Sequence, residues 1–259
     1  MRIRSLIDVT DNPNFISGIH NYCDRWCERC SFTSRCRVYA AEEADPDIDP
    51  ASRDINNAKF WQKIASIFKE AQEMISAWAE ENGVDLSPAV LAEVGEQQDK
   101  LREEAENHPL ARAAEEYALA VNQWFESFQQ LEVFSDTLAV ADENGPDEDI
   151  NDYLEVIRWY QFFIVAKMIR GLLSRVDEDD YLDDAEPRDS DGSVKAALIA
   201  MDRSIGAWKL IGEFCRERAH SIQKFLLALE KLRLGAEEEF PLARDFIRPG
   251  FDEYLDRLH

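Results

Sequence analysis

LIAMDRSIGAWKLIGEFCRERAHSIQKFLLAL, residues 198–229, is the stretch that decides the fold. Leu198, Met201, Ile205, Trp208, Gly212, Cys215, Ala219, Ile222, Leu226 and Leu229 recur at intervals of three and four, the period of one helix face. The stripe has no miss, so it predicts one helix of about 35–40 residues, roughly 55 Å long at 1.5 Å per residue. Gly235 and Pro241 are expected to close it, with one or two short helices in 241–259. A helix of that length needs long neighbours, which points to an antiparallel bundle.

The neighbours are present upstream. Trp61, Ile64, Phe68, Ala71, Ile75 and Trp78 form one stripe, with Asp49-Pro50 as its expected start and Gly83 as its end. Ser87-Pro88 reads as a cap and first turn for a second helix reaching about Asn107. Beyond Pro109 a third stripe runs through Leu110, Ala114, Tyr117, Val121, Trp124, Phe128 and Leu131. Residues 142–149, with Gly145-Pro146, read as a loop. Ile150 to Val176 is apolar on most of its circumference and is expected at the centre, followed by an acidic connection from Asp177 to Asp191. The expected fold is all-α: an antiparallel bundle of about five long helices over 46–259, with a cysteine-rich metal-binding segment, 1–45, packed on it.

Net charge is −24, from 29 basic and 53 acidic residues, which argues against a nucleic-acid surface. Residues 1–40 nevertheless hold six arginines against four acids, a small basic end expected to dock on the acidic body. The first fifteen residues contain no continuous apolar run, so no signal peptide is expected, and the location expected is cytoplasmic. Ile157 to Val176 is interrupted by Arg158, Lys167, Arg170 and Arg175 and reads as a helix buried in protein, with no membrane role.

The candidate chemistry lies in His20 to Cys36. Cys23, Cys27, Cys30 and Cys36 fall within 14 residues, and the chain has only five cysteines. Four thiols so close in a reducing compartment point to metal, either a tetrahedral zinc or a [4Fe–4S] cluster, and the spacing leaves both open. Arg25, Arg29, Arg35 and Arg37 would offset the charge of a tetrathiolate site. The competing reading is structural: Cys23, Cys27 and Cys30 at i, i+4, i+7 would share one face of a helix and serve as core beside Trp26 and Phe32. A redox-sensing thiol array is a third reading. The Cys23-x3-Cys27-x2-Cys30 triplet resembles the cluster-binding loop of radical S-adenosylmethionine enzymes. That resemblance implies a [4Fe–4S] cluster on those three residues. It covers eight residues, and the helical remainder departs from that family's α/β barrel. His20 is an alternative ligand, more naturally a neighbour of the site.

Glu217-x-x-His220 has the form used in di-metal carboxylate bundles, but no second copy is present; Glu104 and His108 are four apart and His108 abuts Pro109. Cys215 lies in the apolar seam and reads as a small core residue. Lys167 and Asp202 interrupt apolar runs, and the expectation is an ion pair between neighbouring helices. There is no phosphate-binding loop, dinucleotide fingerprint, nucleophile elbow or HExxH. The function expected is metal binding with a structural or interaction role. An iron–sulfur redox or electron-transfer protein and a di-metal carboxylate enzyme are the alternatives. A protein partner or a homo-oligomer is open, as is any small-molecule ligand.

Overall fold

The 198–229 stripe turns back on itself at Cys215. In a computed structural model describing residues 13–43, 57–129, 150–178 and 188–252, the expected single helix is two. The described helices are α1 (Arg37–Glu43), α2 (Ala58–Asn82), α3 (Pro88–Asn107), α4 (Pro109–Gln129), α5 (Ile150–Glu178), α6 (Asp189–Phe214) and α7 (Ala219–Glu239). Four 3-10 turns complete the regular structure, and there is no strand among the described residues. The described residues fall into two compact units, one within Met1–Asp99 and Arg248–His259, the other within Lys100–Ile247. No described helix is long and apolar enough to cross a membrane.

In the second unit α4, α5, α6 and α7 form a bundle in which each helix packs on the one before and the one after it, and α7 closes the ring on α4. The contacts fix the directions. Arg170 near the end of α5 reaches Asp189 at the start of α6 (3.6 Å), and Lys195 Nζ near that start bonds the Phe246 carbonyl just beyond α7. Arg158 near the start of α5 lies over the Phe125 ring near the end of α4. Leu110 at the start of α4 meets Gly235 near the end of α7. Every neighbouring pair is therefore antiparallel, as in an up-down-up-down bundle.

The break at Cys215 is a tertiary effect. Cys215 leaves the helical region (φ −105°, ψ 60°) as the C-cap of α6, and Arg216–Arg218 form a 3-10 turn into α7. Asp202 bonds Arg233 at 3.2 Å, residues that an unbroken helix would hold about 46 Å apart. Both arms of the hairpin face one core, α6 through Met201, Ile205, Trp208 and Ile211 and α7 through Ile222, Phe225 and Leu229, while Ala219 of the stripe is exposed at the link. The Trp208 ring sits in that core, packed edge-on to Trp124 (5.1 Å) and tilted on Phe225 (4.8 Å). Trp208 Nε1 donates to the Tyr117 hydroxyl at 2.9 Å, tying α6 to α4 across the bundle.

Several boundaries differ from expectation. α2 starts at Asn57, whose side chain accepts from the Lys59 amide at 3.1 Å. It ends as expected at Gly83, in the left-handed region at φ 67°. Gly235 lies inside α7; a Cβ there would come within 2.9 Å of Leu110, so it serves close packing and no cap. Residues 241–252 form turns without an α-helix. The most deeply buried helix is α6 and not α5, which leaves Phe162 48% exposed. Small residues at Ser190, Gly192, Ser193, Ala196 and Ala197 let α6 sit close to its neighbours. Residues 142–149, the middle of the acidic connection, Asp49-Pro50 and Leu131 lie outside the described residues.

Candidate functional site

Three 3-10 turns, Ile19–Asn21, Cys27–Arg29 and Thr33–Arg35, carry the cysteine segment. Between the first two, the Asp24 carboxylate accepts from the Trp26 amide at 3.2 Å, a side-chain-closed turn that holds Arg25 at φ 59°. That left-handed residue ends any continuous helix, so Cys23, Cys27 and Cys30 do not share one helical face. Cys30 and Cys36 each follow a turn, their amides bonding the Cys27 and Thr33 carbonyls at 3.2 Å. The result is four cysteines presented from loops and turns, a more adaptable arrangement than a helix face.

All four cysteines line one pocket, together with His20, Trp26 and Phe251. Trp26 is buried, and the Arg29 guanidinium lies 4.2 Å from its ring. Residues 248–252 complete the wall. Phe251 packs edge-on to Phe32 at 5.0 Å, and Gly250, at φ 78°, sits where a Cβ would strike Ile16 at 2.8 Å. Nothing in the cysteine spacing could have shown this contribution from residues more than two hundred positions away; the one hint was Arg-Pro-Gly-Phe, residues 248–251, a turn ending in an aromatic.

The five cysteines are free thiols, each half-buried. Burial pushes the Cys23 thiol up; the Arg25 amide and guanidinium pull it partly back, while Asp24 and Cys36 push it further. Burial also raises Cys27, followed by Glu42 and then by Cys23, Cys30 and Cys36. Backbone amides two residues on are directed at two of the four sulfurs: Arg25 on Cys23, and Phe32 on Cys30 at 3.4 Å. Burial first, then Arg25 and Arg37, pushes the His20 imidazole below its ordinary value, and its carbonyl accepts from the Cys23 thiol at 3.5 Å. Among the described residues, no group of three or more His, Cys, Asp or Glu is placed so that it could hold a metal ion, so the structure does not show the expected metal-binding segment as such.

The other candidates are placed differently. Glu217 lies in the 3-10 turn and His220 in the first turn of α7, both exposed, so they do not project from one unbroken helix into the bundle. His108 Nδ1 accepts from the Leu110 amide at 3.3 Å and caps α4, with Pro109 as its first residue. Cys215 caps α6, half-buried; burial raises its thiol and Arg218 lowers it in part. Asp202 does not meet Lys167. Its partners are Arg233 (3.2 Å) and Arg244 (2.7 Å), and Arg244 also reaches Glu237. The register that pairs Tyr160 with Arg203 and Ser174 with Asp189 sets Lys167 about six residues, roughly 9 Å, from Asp202's level. Lys167 lies over the Phe163 ring instead. No protein-family model matches the chain, and neither a curated protein nor a solved structure matches it.

Proposed function

We propose that the chain is a metal-binding helical protein in which Cys23, Cys27, Cys30 and Cys36 take up zinc or a [4Fe–4S] cluster, with a mainly structural role. The observation that carries this reading is the shared pocket: four of the chain's five cysteines line it from three separate turns. Exposed Arg25, Arg29, Arg35 and Arg37 surround the segment and would offset the charge of a tetrathiolate. Among residues 13–43 only Ile19, Trp26 and Ala41 are buried apolar side chains. So small a core needs a staple, and bound metal would be one, as in other small modules whose folding is coupled to metal. Function would then lie in what the fastened segment presents to a partner.

A redox role shares the same cysteines. It is favoured by buried Trp26, an oxidisable ring set in the wall of the pocket. Elemental analysis with a visible spectrum, on protein purified without oxygen, separates the readings. Stoichiometric zinc without colour supports the structural site. Iron and sulfide in about four-to-four ratio, with broad thiolate-to-iron absorption, support the redox one. Neither metal, in protein whose four cysteines remain reactive, overturns both.

A further inference from the structure

Residues 248–252, Arg-Pro-Gly-Phe-Asp, close a turn of their own and lie on the cysteine segment, far from it in sequence. The Phe251 and Asp252 amides donate to the Arg248 carbonyl at 3.1 and 3.2 Å. The Asp252 carboxylate accepts from the Arg248 amide at 2.9 Å and from its guanidinium at 2.9 and 3.1 Å. Both side chains of this pair are only 15% exposed, so its charge-assisted bonds are sheltered from water. The Arg248 guanidinium also lies 4.9 Å from the centre of the Phe251 ring. These bonds fix the direction in which Phe251 points.

The contacts that Gly250 and Phe251 make with the cysteine segment are apolar. Phe251 meets Phe32, two residues after Cys30, edge-on at 5.0 Å, and lines one pocket with all four cysteines. Gly250, at φ 78°, is seated so closely that a Cβ there would lie 2.8 Å from Ile16 and 3.0 Å from Ile19. Ile19 is one of the few buried side chains of the segment, and it lines the same pocket. The space left inside that lining is about 30 Å³. Lifting the turn would therefore uncover Ile19, Phe32 and the pocket together.

We infer that residues 248–252 are a strap across the cysteine pocket: docked, it keeps Cys23, Cys27, Cys30 and Cys36 half-covered, and released, it opens them to whatever binds or reacts with thiols. The strap depends on the shared pocket of the proposed site and not on which metal that site takes. Its release is a local opening within the first unit and needs no change inside the α4–α7 bundle. Access to the thiols, and so their exchange of metal or their oxidation, then follows the docking of a segment distant in the chain.

The test is the rate at which iodoacetamide, whose iodide the thiolate sulfur displaces, labels each cysteine of the full chain with a chelator present, read by peptide mass. The four pocket cysteines are expected to react more slowly in the native chain than in urea. Phe251→Ala is expected to speed their labelling by roughly fivefold or more. Gly250→Val, which drives a side chain into Ile16, is expected to do the same. Phe251→Leu, which keeps most of the apolar cover, should stay within about twofold of native. Cys215 lies in the other unit and should keep its rate in every variant. Pocket rates that stay at the native value in either Phe251→Ala or Gly250→Val overturn the strap, as does an equal acceleration of Cys215, the mark of global loosening. Metal content, measured on the same preparation before the chelator is added, keeps the two readings apart. Acceleration in a chain that held no metal removes the metal and leaves the strap; a chain that held metal and shows no acceleration removes the strap alone.

Discussion

Gly171→Ala tests the close approach of α5 to α6. In most helix interiors this exchange stabilises by about 1 kcal/mol, because alanine loses less backbone freedom on folding. At Gly171 the added Cβ would lie 2.5 Å from Val194 Cγ2 and 3.3 Å from the Ser190 carbonyl. Val194 is fully buried and β-branched, and in a helix one χ1 well is strongly preferred, so its methyl cannot turn away cheaply. The helices must then part by a few tenths of an ångström, and overpacking of this kind costs about 1–3 kcal/mol. Net of the propensity gain, Gly171→Ala is expected to destabilise by about 1–2 kcal/mol. Gly206→Ala is the control, since Gly206 has nothing within 4 Å of the built Cβ, and it should stabilise by about 0.5–1 kcal/mol. Urea unfolding followed by circular dichroism should therefore move the two midpoints in opposite directions, by a few tenths of a molar each. The double variant Gly171→Ala/Val194→Ala should be less damaged than the sum of its parts by more than about 0.5 kcal/mol. If Gly171→Ala stabilises as much as Gly206→Ala, the close approach of α5 and α6 is refuted.

Three further outcomes are expected. Burial pushes the Tyr117 phenol far up, so the unfolded chain ionises first; stability should be intact below the unfolded value near 10 and fall as pH rises above it, less steeply in Tyr117→Phe. Double-mutant cycles should return coupling of about 0.5–1 kcal/mol for Asp202 with Arg244, reduced by salt because both side chains are 38% exposed, and almost none for Asp202 with Lys167. Inserting two glycines between Arg216 and Glu217 should cost under about 1 kcal/mol, because it only lengthens the α6–α7 turn; a loss of several kcal/mol in thermal or urea unfolding would return the stripe to one continuous helix.

Sequence alone determined that this chain is helical and where most helices lie. The 3/4 stripes, Gly83, Ser87-Pro88 and Pro109 are local signals, and each acts through backbone geometry within a few residues of itself. It also singled out the four cysteines, because their crowding in one short segment needs no fold to be seen. Tertiary structure decided the rest. Whether residues 198–239 run straight or fold back turns on which surface buries more, and a stripe in constant phase is the same pattern for both. The Arg233 and Arg244 partners of Asp202, the capping role of His108 and the wall that Phe251 adds to the cysteine pocket all depend on register between distant segments. A one-dimensional pattern holds the period of each helix but no record of the level at which two helices meet, since that is set by how their side chains interlock in the core.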